Sequence, residues 1–157
     1  MRAHLKMVAV AITLAAAVLA MEAHVHSGNT GKNAEPALIQ PAELAKLLLS
    51  HKGKKPLLIQ VGFRVLYEQA HIPGSEYIGP ASDDKALSRL RARVKALPRR
   101  VFIVLYCGCC PWKSCPNVKP AYASLHAMGF KNVKALWLAH NFGADWVDKG
   151  YPTVKGR

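Results

Sequence analysis

Acidic residues are scarce in this chain: nine Asp and Glu stand against 22 Lys and Arg, for a formal net charge of +13. That balance points to anionic partners, whether nucleic acid, an anionic membrane or small anions. Cysteine is missing from all but one short stretch. All four cysteines lie between Cys107 and Cys115, so any bridge among them would constrain little chain. An apolar run of membrane-spanning length is also absent. The run at residues 7–20 covers 14 positions, short of the about 20 that a spanning helix needs. No internal repeat and no second domain are visible in 157 residues, a length suited to one domain with its own core.

The 7–20 run follows Arg2 and Lys6 and ends in Val18-Leu19-Ala20. A basic start, a short apolar core and small closing residues form a secretory signal pattern. Residues 1–20 are therefore expected to be an export signal, cleaved after Ala20 or after Ala23, leaving no stable membrane anchor. Without Arg2 and Lys6 the charge is +11. Export places the protein in the periplasm or outside the cell and argues against nucleic acid as a partner. The cluster Arg89, Arg91, Arg93, Lys95, Arg99 and Arg100 reads as a solvated helix face, with steering of small anions as a secondary effect. Residues 21–36 have no periodicity and read as a flexible linker, on which His24 and His26 are idle.

Residues 37–157 form the expected domain. A short strand at 37–40 leads to Pro41, which suits a first helical turn, and Leu44, Leu47 and Leu48 give that helix an apolar stripe. Strand 57–61 ends at Gly62. A helical turn at 66–70 precedes the turn sequence His71-Ile72-Pro73-Gly74 and a brief strand at Tyr77-Ile78. Ser82 is the expected cap of a helix carrying Asp83 and Asp84 in its first turn. Its face is Leu87, Leu90, Val94 and Leu97, and Pro98 stops it. The apolar run 101–106 reads as a buried strand. A helix starting near Asn117, with Pro120 in its first turn, ends at Gly129. A last strand spans 133–138, and a short helix spans 141–149. Strands alternating with helices predict an α/β domain, a mostly parallel sheet with helices on both faces. Ligands in such sheets bind beyond the carboxyl ends of the strands.

Cys107 stands at one such end. The loop it opens runs Cys107-Gly108-Cys109-Cys110-Pro111-Trp112-Lys113-Ser114-Cys115-Pro116 and empties into a helix N-terminus. Backbone N–H groups and the positive end of a helix dipole there favour a thiolate, and Lys113 adds a positive charge. Disulfides that staple a fold join distant segments, so cysteines crowded into one loop of an exported protein indicate chemistry or metal binding.

Three stretches together resemble the rhodanese-like (sulfurtransferase) family. Tyr67-Glu68-Gln69-Ala70-His71-Ile72-Pro73-Gly74-Ser75 is similar to its Gly-His-Ile-Pro-Gly-Ala signature. Strand 101–106 runs into Cys107, the position of its catalytic cysteine. Gly129-Phe130-Lys131-Asn132-Val133, followed by Trp146-Val147-Asp148-Lys149-Gly150-Tyr151-Pro152, is similar to its closing pattern. The resemblance implies sulfane-sulfur transfer through a persulfide on Cys107, without a cofactor. A small sulfur anion such as thiosulfate is the implied donor, a thiophilic molecule the acceptor. The persulfide's outer sulfur is expected to rest among backbone N–H groups of the loop. The sequence departs from the family in the length of this loop and in Gln60-Val61-Gly62, where the family usually has Asp-Val-Arg; Arg64 lies two residues on.

The remaining loop residues, Gly108, Cys109, Cys110, Trp112, Lys113, Ser114 and Cys115, are the expected active-site loop, with Arg64 and His71 as candidate substrate-binding side chains. Cys109, Cys110 or Cys115 would resolve the persulfide, relay its sulfur or pair with Cys107. Thiol–disulfide redox chemistry is an alternative, since Cys107-Gly108-Cys109-Cys110 contains a Cys-x-x-Cys spacing. A thiolate site for Cu(I) or Zn is another, although zinc sites usually show two separated ligand pairs. A non-catalytic binding domain is a third. Phosphatase chemistry is disfavoured: Lys113 stands where a phosphate loop needs the bidentate fork of Arg.

Overall fold

A computed structural model describes residues 35–156. The expected signal at 1–20 and the expected linker as far as residue 34 lie outside the described residues. The elements are β1 (Leu38–Ile39), α1 (Pro41–Leu49), β2 (Leu57–Gln60), α2 (Arg64–Gln69), β3 (Glu76–Tyr77), α3 (Asp84–Val94), β4 (Ile103–Tyr106), α4 (Val118–Ala127) and β5 (Val133–Leu136). A single 3₁₀ turn (Trp112–Ser114) interrupts the cysteine loop, and a π-helical turn (Gly143–Val147) follows β5. Among the described residues no helix is long and apolar enough to cross a membrane.

The strands form one parallel sheet in the order β1-β5-β4-β2-β3. β4 lies at its centre and is buried along its whole length, as a continuous apolar run requires of a strand covered on both faces. Side chains alternate across the sheet. Ile103, Leu105 and Cys107 face one core, with Leu90 and Val94 of α3 and Tyr122 and Leu125 of α4. Val104 and Tyr106 face the other, with Leu44 of α1, Phe142 and Trp146. The same parity that buries Leu105 therefore turns Cys107 toward α4 rather than toward α1.

Several local expectations shift. Leu47 of α1 is exposed and Ala45 is buried in its place beside Leu44. Strand 57–61 ends one residue earlier, at Gln60, and α2 begins at Arg64, two residues before the expected turn. The cap of α3 is Asp83, whose carboxylate takes the Lys85 N–H at 2.9 Å. Ser82 instead donates its own N–H to Asn117. α3 stops at Val94 rather than at Pro98, and Leu97 packs against the core from a turn. The strand expected at 101–106 begins at Ile103, the one at 133–138 ends at Leu136, and the helix expected at 141–149 is only the π turn.

Asp145 holds that turn by accepting the N–H groups of His140 at 2.6 Å and Asn141 at 3.2 Å. Burial works against its charge, but these contacts prevail and hold its carboxyl below the usual range. Trp146 is fully buried next to it, between Phe142 and Tyr151, with its indole N–H on the Pro152 carbonyl at 2.9 Å. Trp146→Ala is expected to destabilise the domain by about 3–5 kcal/mol, read as a lower midpoint in urea unfolding.

Candidate functional site

Cys107 follows the last residue of β4, and Gly62 lies two residues past the end of β2, the neighbouring strand. A Cβ at Gly62 would come within 2.6 Å of the Cys107 carbonyl oxygen and 2.8 Å of its Sγ, so the close approach of the two strand ends requires glycine. Gln60, opposite Tyr106 in the sheet register, clamps this junction. Its side-chain amide donates to the Cys107 carbonyl at 2.8 Å and accepts the Gly62 N–H at 3.1 Å. Gly108 then turns with φ of +96°, and its carbonyl accepts the Phe142 N–H at 3.1 Å. A side chain at Gly108 would be strained in this conformation.

The Cys107 sulfur is nearly closed off, at 2 % exposure. Asn117, wholly buried at the N-terminus of α4, donates its Nδ2–H to Cys107 Sγ at 3.3 Å and accepts the Ser82 N–H at 3.0 Å. Cys109 Sγ lies 3.2 Å from Cys107 Sγ and 3.1 Å from Cys110 Sγ. Cys115 is buried on the same side, and the sulfurs of Cys107, Cys109 and Cys115 all lie within 4.8 Å of one another.

Three of the four thiols are shifted away from ionisation. Burial pushes Cys109 up to about 11, with its contact to Cys110 adding to the shift and that to Cys107 opposing it. Burial also pushes Cys110 up. Cys115 is raised first by its contact with Cys107 and then by burial, against the backbone N–H groups of Asn117 and Val118. At neutral pH these three stand as protonated thiols.

The expected cradle of loop N–H groups is smaller than the loop's length implies. The Trp112 N–H bonds to the Leu138 carbonyl at 2.9 Å, Ser114 N–H to Pro111 at 3.1 Å and Cys115 N–H to Trp112 at 3.2 Å. Pro111 and Pro116 have none to give. The extra residues are thus folded into a 3₁₀ turn with its own hydrogen bonds. Beside the site opens a cavity of about 500 Å³, lined by Gly108 and Cys109 and by Leu66, Ala70, Phe142 and Val147 among others. Cys109 is the thiol that lines it; Cys107 does not.

The other expected site residues stand apart from the sulfurs. His71 is buried in the turn before β3, stacked on Tyr67, with Nδ1–H on the Tyr67 carbonyl at 2.7 Å. Its backbone pairs with Val154. This is a structural role, and the turn in turn holds Tyr106, whose hydroxyl meets Ser75 Oγ at 2.7 Å and the Ile72 N–H at 3.2 Å. Arg64 lies over the Tyr77 ring and pairs with Glu68 at 3.6 Å. Lys113 and Ser114 are exposed on the 3₁₀ turn, and Trp112 is half-buried there. Neither Arg64 nor Lys113 lines the cavity. Gln60, Gly62 and Asn117 were missed as site residues. Their contacts join segments far apart in the chain, so no local pattern marks them.

The fold and the site allow comparison with known proteins. No curated protein sequence matches. The Alr3790 protein from Anabaena sp. superposes with a TM-score of 0.55 at 20 % identity, over 75 % of this chain and 92 % of that one. The single-domain sulfurtransferase RDL2 of Saccharomyces cerevisiae gives 0.54 at 18 % identity, over 75 % and 94 %. EanB, in a persulfide-bearing state with ergothioneine, gives 0.56 at 24 % identity, over 76 % of this chain and 28 % of EanB. Likeness at these identities is likeness of fold. The sequence pattern of the rhodanese-like domain, in contrast, matches residues 40–137, more than half of the chain. With a parallel sheet in the order β1-β5-β4-β2-β3 and a cysteine at the end of its central strand, the chain belongs to the rhodanese-like domain family.

Proposed function

We propose that the domain moves sulfane sulfur through a persulfide on Cys107. The observation that carries the reading is the buried Asn117 amide, which donates to Cys107 Sγ at the strand end, while burial and thiol contacts raise the neighbouring Cys109, Cys110 and Cys115. In the proposed reaction the Cys107 thiolate attacks the outer sulfur of a donor such as thiosulfate. The sulfur–sulfur bond of the donor breaks, sulfite leaves with the electron pair, and Cys107 keeps the sulfur as a persulfide. A thiophilic acceptor then attacks the outer sulfur, and Cys107 departs as thiolate. The donor enters by the cavity beside Gly108, and Cys109 must turn aside for it to reach Cys107. The cavity has no cationic lining, so attraction of a small anion rests on the overall charge, +11 without Arg2 and Lys6. Action outside the cytoplasm is part of the proposal, supported by the signal pattern of residues 1–20.

A redox reading is favoured by one observation, the Sγ contacts at 3.2 and 3.1 Å that link Cys107, Cys109 and Cys110. One experiment separates the two. Intact mass of reduced protein treated with thiosulfate is expected to rise by one sulfur, about 32 Da, reversed by a thiol reductant and absent in Cys107→Ser. A loss of two hydrogens with no sulfur uptake would favour the redox reading instead.

Gly62→Ala tests the geometry of the strand ends. The added methyl must displace the Cys107 carbonyl or sulfur. Expected are a loss of about 1–3 kcal/mol in stability and sulfur uptake slowed by roughly 10- to 100-fold, followed by thermal melting and by the rate of mass gain. Unchanged uptake would place the reacting sulfur elsewhere.

A further inference from the structure

We propose that Cys107, Cys109 and Cys115 form a three-thiolate site for monovalent copper. A metal bonded to sulfur at about 2.3 Å holds its thiolates roughly 4 Å apart. The three sulfurs already lie within 4.8 Å of one another, so only small side-chain shifts are needed, with Cys107 and Cys109 parting from 3.2 Å to about that spacing. Both ends of the loop are anchored. Cys107 is held by Gln60 at the end of β4, and Cys115 by its N–H bond into the 3₁₀ turn.

The donor set selects the metal. The group contains three thiolates and neither carboxylate nor imidazole, which disfavours magnesium, calcium and manganese and suits soft ions. Zinc completes a tetrahedron with a fourth protein ligand or a water. Cys110 touches Cys109 at 3.1 Å but falls outside the set whose sulfurs are all mutually close. Cys107 and Cys115 are 2 % and 3 % exposed, while Cys109 faces the cavity. A three-coordinate, all-sulfur site is one that Cu(I) accepts.

The surroundings suit the charge of such a complex. Three thiolates around Cu(I) give the assembled site two negative charges; the copper oxidation state is unchanged, and any thiol protons pass to solvent. Asn117 Nδ2–H already points at Cys107 Sγ at 3.3 Å, the kind of outer hydrogen bond that orients a metal ligand. The N-terminus of α4, a helix of ten residues, opens three positions after Cys115. The site shares Cys107 with sulfur transfer, so copper-loaded protein would take up no sulfur. The two readings nonetheless fail separately, since persulfide is read by mass on metal-free protein and copper by competition.

The test is anaerobic titration of the reduced, metal-free protein with Cu(I) against a chromogenic Cu(I) chelator. One Cu(I) per chain is expected. Cys107→Ser, Cys109→Ser and Cys115→Ser should each weaken it by more than about 100-fold, Asn117→Ala by roughly 10- to 100-fold, and Cys110→Ser by less than about threefold. X-ray absorption at the copper edge of the loaded wild-type protein should show three sulfur neighbours and no nitrogen or oxygen, a result independent of how the variants fold. Failure of the wild type to hold copper, an equal loss in Cys110→Ser, or retention of zinc in preference to Cu(I) would overturn the proposal.

Discussion

One buried side chain, Asn117, ties together the parts of the chain that meet at Cys107. Its amide oxygen takes the Ser82 N–H from the link before α3, and its amide nitrogen donates to the sulfur at the end of β4. Asn117 itself stands at the first turn of α4. A wholly buried amide left without partners would destabilise the fold by about 1–3 kcal/mol for each unpaired group. Both of its bonds are therefore conditions of folding as well as of chemistry. Gln60 does the same from the other side, between the Cys107 carbonyl and the Gly62 N–H. Between these two amides the reactive sulfur is positioned by polar bonds, with apolar packing beneath it.

How far this could be read in the sequence depended on the range of the forces involved. β4 was legible because a strand buried on both faces leaves an unbroken apolar run. The start of α4 was legible because Pro120 fits only the first turn. The parallel sheet followed from the alternation of the two. Helix ends were less clear. Ser82 and Asp83 are both good caps by residue type; in the structure Asp83 takes the role, while the Ser82 N–H is held by Asn117. Gln60 and Asn117 were not legible as site residues at all. Gln60 meets Cys107 across 47 positions and Asn117 meets Ser82 across 35, distances over which no local pattern carries information.

The cysteine loop shows how a shared fold is given a different site. A longer loop brings more backbone N–H groups near the strand end. Here its added residues fold into a 3₁₀ turn that uses those groups internally and is pinned to Leu138. What surrounds Cys107 is then thiols and one amide. His71, Arg64 and Lys113, the side chains that chemistry alone would recruit, are engaged elsewhere or exposed. His71 still contributes indirectly, by shaping the turn that holds Tyr106 immediately before Cys107. The result is a deep sulfur flanked by thiols and one amide, on which both the proposed sulfur transfer and the proposed copper site rest.

The most direct test of this account is to locate the transferred sulfur. Reduced protein would be exposed to thiosulfate at neutral pH, alkylated, cleaved and mapped peptide by peptide. The account predicts the extra sulfur on Cys107, because Cys109 stays protonated until about pH 11 and only Cys107 has the Asn117 amide on its sulfur. Sulfur found on Cys109, Cys110 or Cys115 while Cys107 remains a free thiol would contradict it.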